Sequence, residues 1–246
     1  MNTNSNSTYQ VLSRLTVARK PSVILFDLWK TIARGPYPEP IKLLKDILGL
    51  GAEVSDEEFL VACLTTPYED TRLYIYHVAD RFGVEYVSDE AVEEFESLVQ
   101  NEKNGLLLFT DVVKELSFLK KQGFRLGLVT NSWPFPVQTL LETTGLDEIF
   151  EHVISSHSAG VAKQHGPEIY LVAAERFGVR PEECLMIGDN PALDVVPALA
   201  ADVQAVLIDR DGSHVNCKGE FKSVELRKLG VGFIRNLQDL RELHTR

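Results

Sequence analysis

The sequence predicts a doubly wound, parallel α/β sheet with a block of helices inserted after its first strand. Two patterns point there. Short apolar runs recur along the chain, each ending on a polar or charged residue, and stretches of helical spacing separate them. The alternation stops between about residues 38 and 105, where helical patterns follow one another directly.

The apolar run at 23–26 leads into Asp27, that at 126–129 into Thr130 and Asn131, and that at 185–187 into Gly188 and Asp189. Weaker runs lie at 153–154, 205–208 and 231–234. Continuous short apolar runs fit strands buried on both faces, as in a parallel sheet. Between them, 111–122 places Val112, Leu116 and Leu119 on one helical face and stops at Gly123. Residues 136–143 make a shorter helix, and 167–177 carries Ile169, Val172, Ala173 and Phe177 at helical spacing before Gly178. Residues 193–201 hold the small side chains that let a helix lie close to a sheet. In the insert, four amphipathic helices are predicted at 41–48, 56–64, 68–82 and 89–100.

Composition narrows the function. The 246 residues carry a formal net charge of -11, with no overall electrostatic footprint for nucleic acid. Residues 51–104 hold fourteen acids against three bases (Arg72, Arg81 and Lys103), matching that whole net charge. No apolar run reaches the roughly 18 residues of a membrane span. Cys63, Cys184 and Cys217 are too few and too widely spaced for a disulfide framework or a metal knuckle, which suits a reducing, cytoplasmic setting. Residues 1–20 contain no acid and are rich in Ser, Thr and Asn. Lacking an uninterrupted apolar segment, they read as a polar, poorly ordered tail rather than a secretory signal, although transit peptides share that composition.

Four features carry chemistry. Asp27 sits at the carboxyl end of a buried strand, where open α/β sheets bind ligands and where a carboxylate can act as nucleophile or merely cap a helix. Thr130-Asn131-Ser132 ends a second strand, where a hydroxyl can bind an anion or simply make a turn. Lys163 lies in the loop-like stretch 156–168 and could neutralise charge growing on a transferred group. Asp189 and Asp194, following a third strand, are hard oxygen donors of the kind Mg²⁺ takes.

Together these features resemble the haloacid dehalogenase (HAD) superfamily, in its capped, phosphatase-like branch. The resemblance covers about residues 21–241. It implies a Rossmann-like core at 21–37 and 106–246, and a helical cap at 38–105. It further implies Asp27 as nucleophile, with Thr31 as the trailing threonine of that motif. Thr130, Asn131 and Lys163 become the groups that hold the phosphoryl oxygens, and Lys163 and Thr130 join Asp27 as catalytic residues. Mg²⁺ is the implied cofactor, held by Asp27, Asp189, Asp194 and the backbone carbonyl of Trp29. The expected function is Mg²⁺-dependent hydrolysis of a small phosphorylated metabolite through an aspartyl-phosphate.

Departures from the family pattern keep two alternatives open. Trp29 stands where phosphatases carry a second aspartate, the general acid, and indole cannot shuttle a proton in that way. The superfamily's dehalogenases carry an aromatic residue there, which points to a 2-haloacid dehalogenase-like hydrolase with Arg34 and Arg72 as halide-pocket candidates. Lys30 replaces a glycine beside the nucleophile. With Trp29 it points to a catalytically degenerate member that binds a ligand or partner, the acidic cap being the candidate face for a protein partner. The stretch 164–167 is one residue longer than the family pattern, which predicts a displaced Lys163 and offers His165 as a substitute base.

Overall fold

The computed structural model describes residues 17–35, 40–214, 226 and 231–244. Cys217 and residues 1–16 of the predicted tail lie outside them. Residues 17–20, read as the end of that tail, lie against the core: Val17 packs on the buried cluster and the Arg19 N–H donates to Gln204 Oε1 at 3.0 Å.

All six expected strands form one parallel sheet. In chain order they are β1 (Val23–Phe26), β4 (Arg125–Thr130), β5 (His152–Ser155), β6 (Cys184–Gly188), β7 (Gln204–Ile208) and β8 (Gly232–Ile234), arranged spatially as β5-β4-β1-β6-β7-β8. A two-stranded antiparallel ribbon, β2 (Ala33–Arg34) with β3 (Leu107–Leu108), joins the two points where the chain leaves and re-enters the core. It was not legible beforehand, because two-residue strands carry no periodicity. The sheet is buried on both faces, which explains its continuous apolar runs. Ile24, Phe26, Leu126, Leu128, Leu185 and Ile187 pack on one side with α5 (Val112–Lys121) and α6 (Pro134–Thr144). Val23, Leu25, Val129, Cys184 and Met186 pack on the other with α8 (Glu168–Phe177) and α9 (Val196–Ala200). A one-turn helix, α7 (Ser156–Ala159), follows β5 directly.

The insert contains α1 (Pro40–Ile47), α2 (Asp56–Thr65), α3 (Thr71–Arg81) and α4 (Asp89–Gly105), with a hydrophobic cluster of their own. Three starts are fixed by caps: Ser55, Asp70 and Ser88 each accept a backbone N–H with the side chain. The Asp70 cap is why α3 begins at Thr71 rather than at Tyr68. α4 runs five residues past the expected Gln100, to Gly105. Its buried stripe is Val92, Phe95, Val99 and Glu102, and the last of these, being charged, hid the continuation from a hydrophobic reading. Trp133, from the start of α6, enters that cluster against Phe95 and Tyr74, and His157 of α7 bonds the Thr66 carbonyl at 2.9 Å. Among the described residues no helix is long and apolar enough to cross a membrane.

Between β1 and β2 the chain turns tightly. Lys30 adopts φ 56°, the left-handed region, and its N–H donates to the Ala33 carbonyl at 2.7 Å. A side chain there is strained by roughly 1–2 kcal/mol, and glycine is not.

Two outcomes follow for stability. Lys30→Gly is expected to raise stability by about 1 kcal/mol, seen as a higher thermal midpoint. Phe95→Ala, which empties the contact between Tyr74 and Trp133, is expected to cost about 3–5 kcal/mol, measured as a lower urea midpoint.

Candidate active site

Three strand ends meet at one point because β1 lies between β4 and β6. The Asp27 N–H continues the ladder, donating to the Ile187 carbonyl at 2.9 Å. Asp27 is therefore held at the sheet edge before the chain turns away. Asp189 follows β6 directly. Asp194 returns to the same point through a single π turn, Pro191–Val195, capped by Asn190, whose side chain accepts the Ala192 and Leu193 N–H groups. A Cβ on Gly188 would lie 2.3 Å from Asp194 Cβ and Cγ, so only glycine lets Asp194 approach.

The three carboxylates place one oxygen each within 4.8 Å of one another. Lys163 sits among them: its Nζ donates to Asp27 Oδ1 at 2.5 Å and to Asp194 Oδ1 at 2.7 Å, with 3% of its surface exposed. The expected displacement of Lys163 is not seen. The extra residue is absorbed in a 3₁₀ turn, Lys163–His165, closed by Gly166 at φ 111°. Asn131 clamps that turn, accepting the Lys163 N–H at 3.2 Å and donating to Gln164 Oε1 at 2.8 Å. His165 is exposed and its Nδ1 accepts the Ala162 N–H, so it is not presented to the carboxylates as a base.

Burial dominates the electrostatics. It pushes Asp27 up to about 6 against the pull of Lys163, with Asp194 adding to the rise. It pushes Asp189 up to about 7, reinforced by Asp27 and Asp194. Burial alone would lower the Lys163 ammonium, but Asp194 and Asp27 hold it above its ordinary value. The donor set of hard carboxylate oxygens, with excess negative charge, fits a small divalent cation such as Mg²⁺. Both Asp194 oxygens are already engaged, Oδ1 by Lys163 and Oδ2 by the Asn190 N–H at 3.0 Å. Asp194 is therefore tied to both Lys163 and the backbone of its own turn.

A cavity of about 690 Å³ opens from this floor to the helical insert. Asp27, Trp29, Lys30, Asn131, Lys163 and Asp189 line its base, while Phe59, Leu60, Leu64 and Leu98 are among the apolar side chains above. Thr130 is fully buried and does not line the cavity. Its hydroxyl donates to Ser132 Oγ at 3.0 Å and accepts the Ser132 N–H, so Ser132 stands between Thr130 and the cavity. The Trp29 indole N–H donates to the same Ser132 Oγ at 2.6 Å. Thr31 is buried, and its Oγ1 has no partner among the described residues. Neither Arg34 nor Arg72 lines the cavity, and Arg72 pairs with Glu96 instead. Sequence reasoning missed Ser132 as an anchor for Trp29, and it missed Glu102, a buried acid on the cavity wall. Glu102 had a signal: it occupies the apolar position of the α4 stripe.

Known proteins agree with this architecture. A solved HAD phosphatase from Thermococcus onnurineus is 25% identical, with a TM-score of 0.56 over 90% of this chain and 97% of that one. A 2-haloacid dehalogenase from Pseudomonas syringae is 23% identical with a TM-score of 0.63, over 92% of this chain and 99% of that one, a likeness of fold. A phosphoglycolate phosphatase from Nitrosococcus oceani is 40% identical over 107 residues, 44% of this chain and 47% of its own length. The match thus spans about half the length of that relative. The sequence model of the haloacid dehalogenase-like hydrolases matches residues 21–202, about three-quarters of the chain. The chain is a member of the haloacid dehalogenase-like hydrolase family.

Proposed function

We propose that this protein is a Mg²⁺-dependent phosphohydrolase acting on a small phosphorylated metabolite through an aspartyl-phosphate on Asp27. The observation that carries this reading is the buried Lys163 ammonium bridging Asp27 and Asp194 at the floor of the cavity, with Asp189 beside them. A phosphoryl group needs a nucleophile, cationic oxygen ligands and little else in the way of covalent chemistry.

Asp27 attacks phosphorus in line from the strand end. Lys163 orients the nucleophile through Oδ1 and faces the incoming phosphoryl oxygens. Asn131 keeps the Lys163 turn in place, and Asp194 keeps the ammonium charged and aimed. Thr130 acts through Ser132, which presents a hydroxyl to the cavity. Asp27, Asp189 and the Trp29 carbonyl, with Asp194 behind them, are the residues that would hold Mg²⁺. When bound, the ion neutralises charge on the transferred group. The relatives named as phosphatases support this reading, as does the absence of Arg34 and Arg72 from the cavity wall, which takes support from the dehalogenase alternative.

The test is turnover of acetyl phosphate and p-nitrophenyl phosphate with Mg²⁺ or with EDTA. Turnover is expected only with the metal, and Asp27→Asn is expected to abolish it. Unchanged activity in that variant rejects Asp27 as nucleophile. Halide release from a 2-haloacid in EDTA would instead establish the dehalogenase reading. Gly188→Ala, which drives a methyl group into Asp194, is expected to lower kcat by roughly 10²-fold or more, measured with acetyl phosphate at saturation.

A further inference from the structure

Trp29 removes the acid that a phosphatase of this family uses, yet the cavity wall carries another carboxyl. We propose that Glu102, in the last turn of α4, is the catalytic acid that protonates the departing oxygen of the substrate. The inference rests on the phosphohydrolase reading above.

Glu102 lines the cavity that Asp27 lines, and it is 92% buried, being 8% exposed. Its Oε2 has no hydrogen-bond partner among the described residues. A buried, unpaired carboxylate is strongly disfavoured, whereas a neutral carboxylic acid is tolerated and holds a proton to give. Burial accordingly pushes Glu102 up to about 7. The other buried members of its stripe are Val92, Phe95 and Val99, and an apolar side chain would continue it.

Its placement suits the geometry of the reaction. In an in-line displacement the leaving oxygen departs on the side opposite Asp27, away from the strand ends and towards the insert. α4 forms that side. Trp29 also packs near the same helix end. A Cβ on Gly35 would lie 2.7 Å from the Trp29 ring and 3.5 Å from the Gly105 carbonyl, and Gly105 is one turn beyond Glu102. Trp29 and Glu102 both line this cavity.

Asp27 forms a bond to phosphorus as the ester P–O bond breaks. The bonding pair goes to the departing oxygen, which takes the Glu102 proton and leaves as a neutral alcohol. Water then attacks phosphorus and passes a proton to the Glu102 carboxylate. The Asp27–phosphorus bond breaks with its pair returning to Asp27, and inorganic phosphate leaves.

The experiment compares phenyl phosphate with p-nitrophenyl phosphate in the full chain with Mg²⁺, for wild type and Glu102→Gln. The two esters match in shape around the phosphate and differ in how much the leaving oxygen needs a proton. Because kcat/KM reports the steps through alcohol release, slow hydrolysis of the intermediate does not enter. The expected result is a fall of roughly 10²-fold or more for phenyl phosphate and less than about tenfold for p-nitrophenyl phosphate. Retained p-nitrophenyl phosphate turnover also shows that the variant folds. Equal losses on both esters, or no loss on either, overturn the assignment of Glu102 while leaving the phosphohydrolase reading intact. A wild type that hydrolyses neither these esters nor acetyl phosphate overturns that reading and this one with it.

Discussion

The site depends on one buried ammonium. Lys163 has left water, and a charge in that position costs several kcal/mol unless it is paired. Asp27 and Asp194 supply the pairing at 2.5 and 2.7 Å. Much of the local architecture serves that contact. Gly188 has no side chain so that Asp194 can approach, and a π turn brings Asp194 back within five residues of Asp189. The Tyr170 hydroxyl donates to the Leu193 carbonyl within that turn, and Asn131 holds the backbone of Lys163. Removing any one partner would strand a charge in the interior, so the nucleophile and its support form a single electrostatic unit.

Trp29 belongs to a second, separable unit. Its indole bonds Ser132, which bonds Thr130, so the aromatic ring is tied to the end of β4 rather than to the charged cluster. Its ring edge lies where a Cβ on Gly35 would fall. A bulky apolar plate has therefore been fitted into the wall without disturbing Asp27 or Lys163. That arrangement fits a site that kept phosphoryl chemistry and moved its proton donor, better than one that lost its chemistry altogether.

The sheet was legible in the sequence because burial on both faces writes continuous apolar runs, and each run stops where the backbone meets the cavity. Asp27 and Asp189 were legible for the same reason, as acids placed at the ends of such runs, and Asp194 by its spacing five residues after Asp189. What escaped were features whose signal is not periodic. The extra residue after Lys163 suggested displacement, but a 3₁₀ turn compacts the chain and Gly166 takes a backbone angle that cancels the insertion. Lys30 looked like a charge added to the pocket, when its more telling property is a left-handed backbone where glycine is at ease. Glu102 was one of fourteen acids in an acidic block, beyond the expected end of its helix at residue 100. Only the packing of α4 separates it from them.

Charge balance at this site favours a cation. The floor gathers Asp27, Asp189 and Asp194 against Lys163 and Lys30, so three carboxylates face two ammonium groups. The raised values of Asp27 and Asp189 express that excess, with burial as the larger cause. A phosphoryl dianion would add two more negative charges to the same low-dielectric pocket, where repulsion is poorly screened. On the mainly apolar roof Lys45 is spent on Asp56 and the Val54 carbonyl, bracing α1 against the start of α2, and the other lining cation, Lys42, is exposed. A divalent cation at the carboxylates would make the same floor attractive to a phosphorylated substrate, and would offset the repulsion that adds to the effect of burial on those acids.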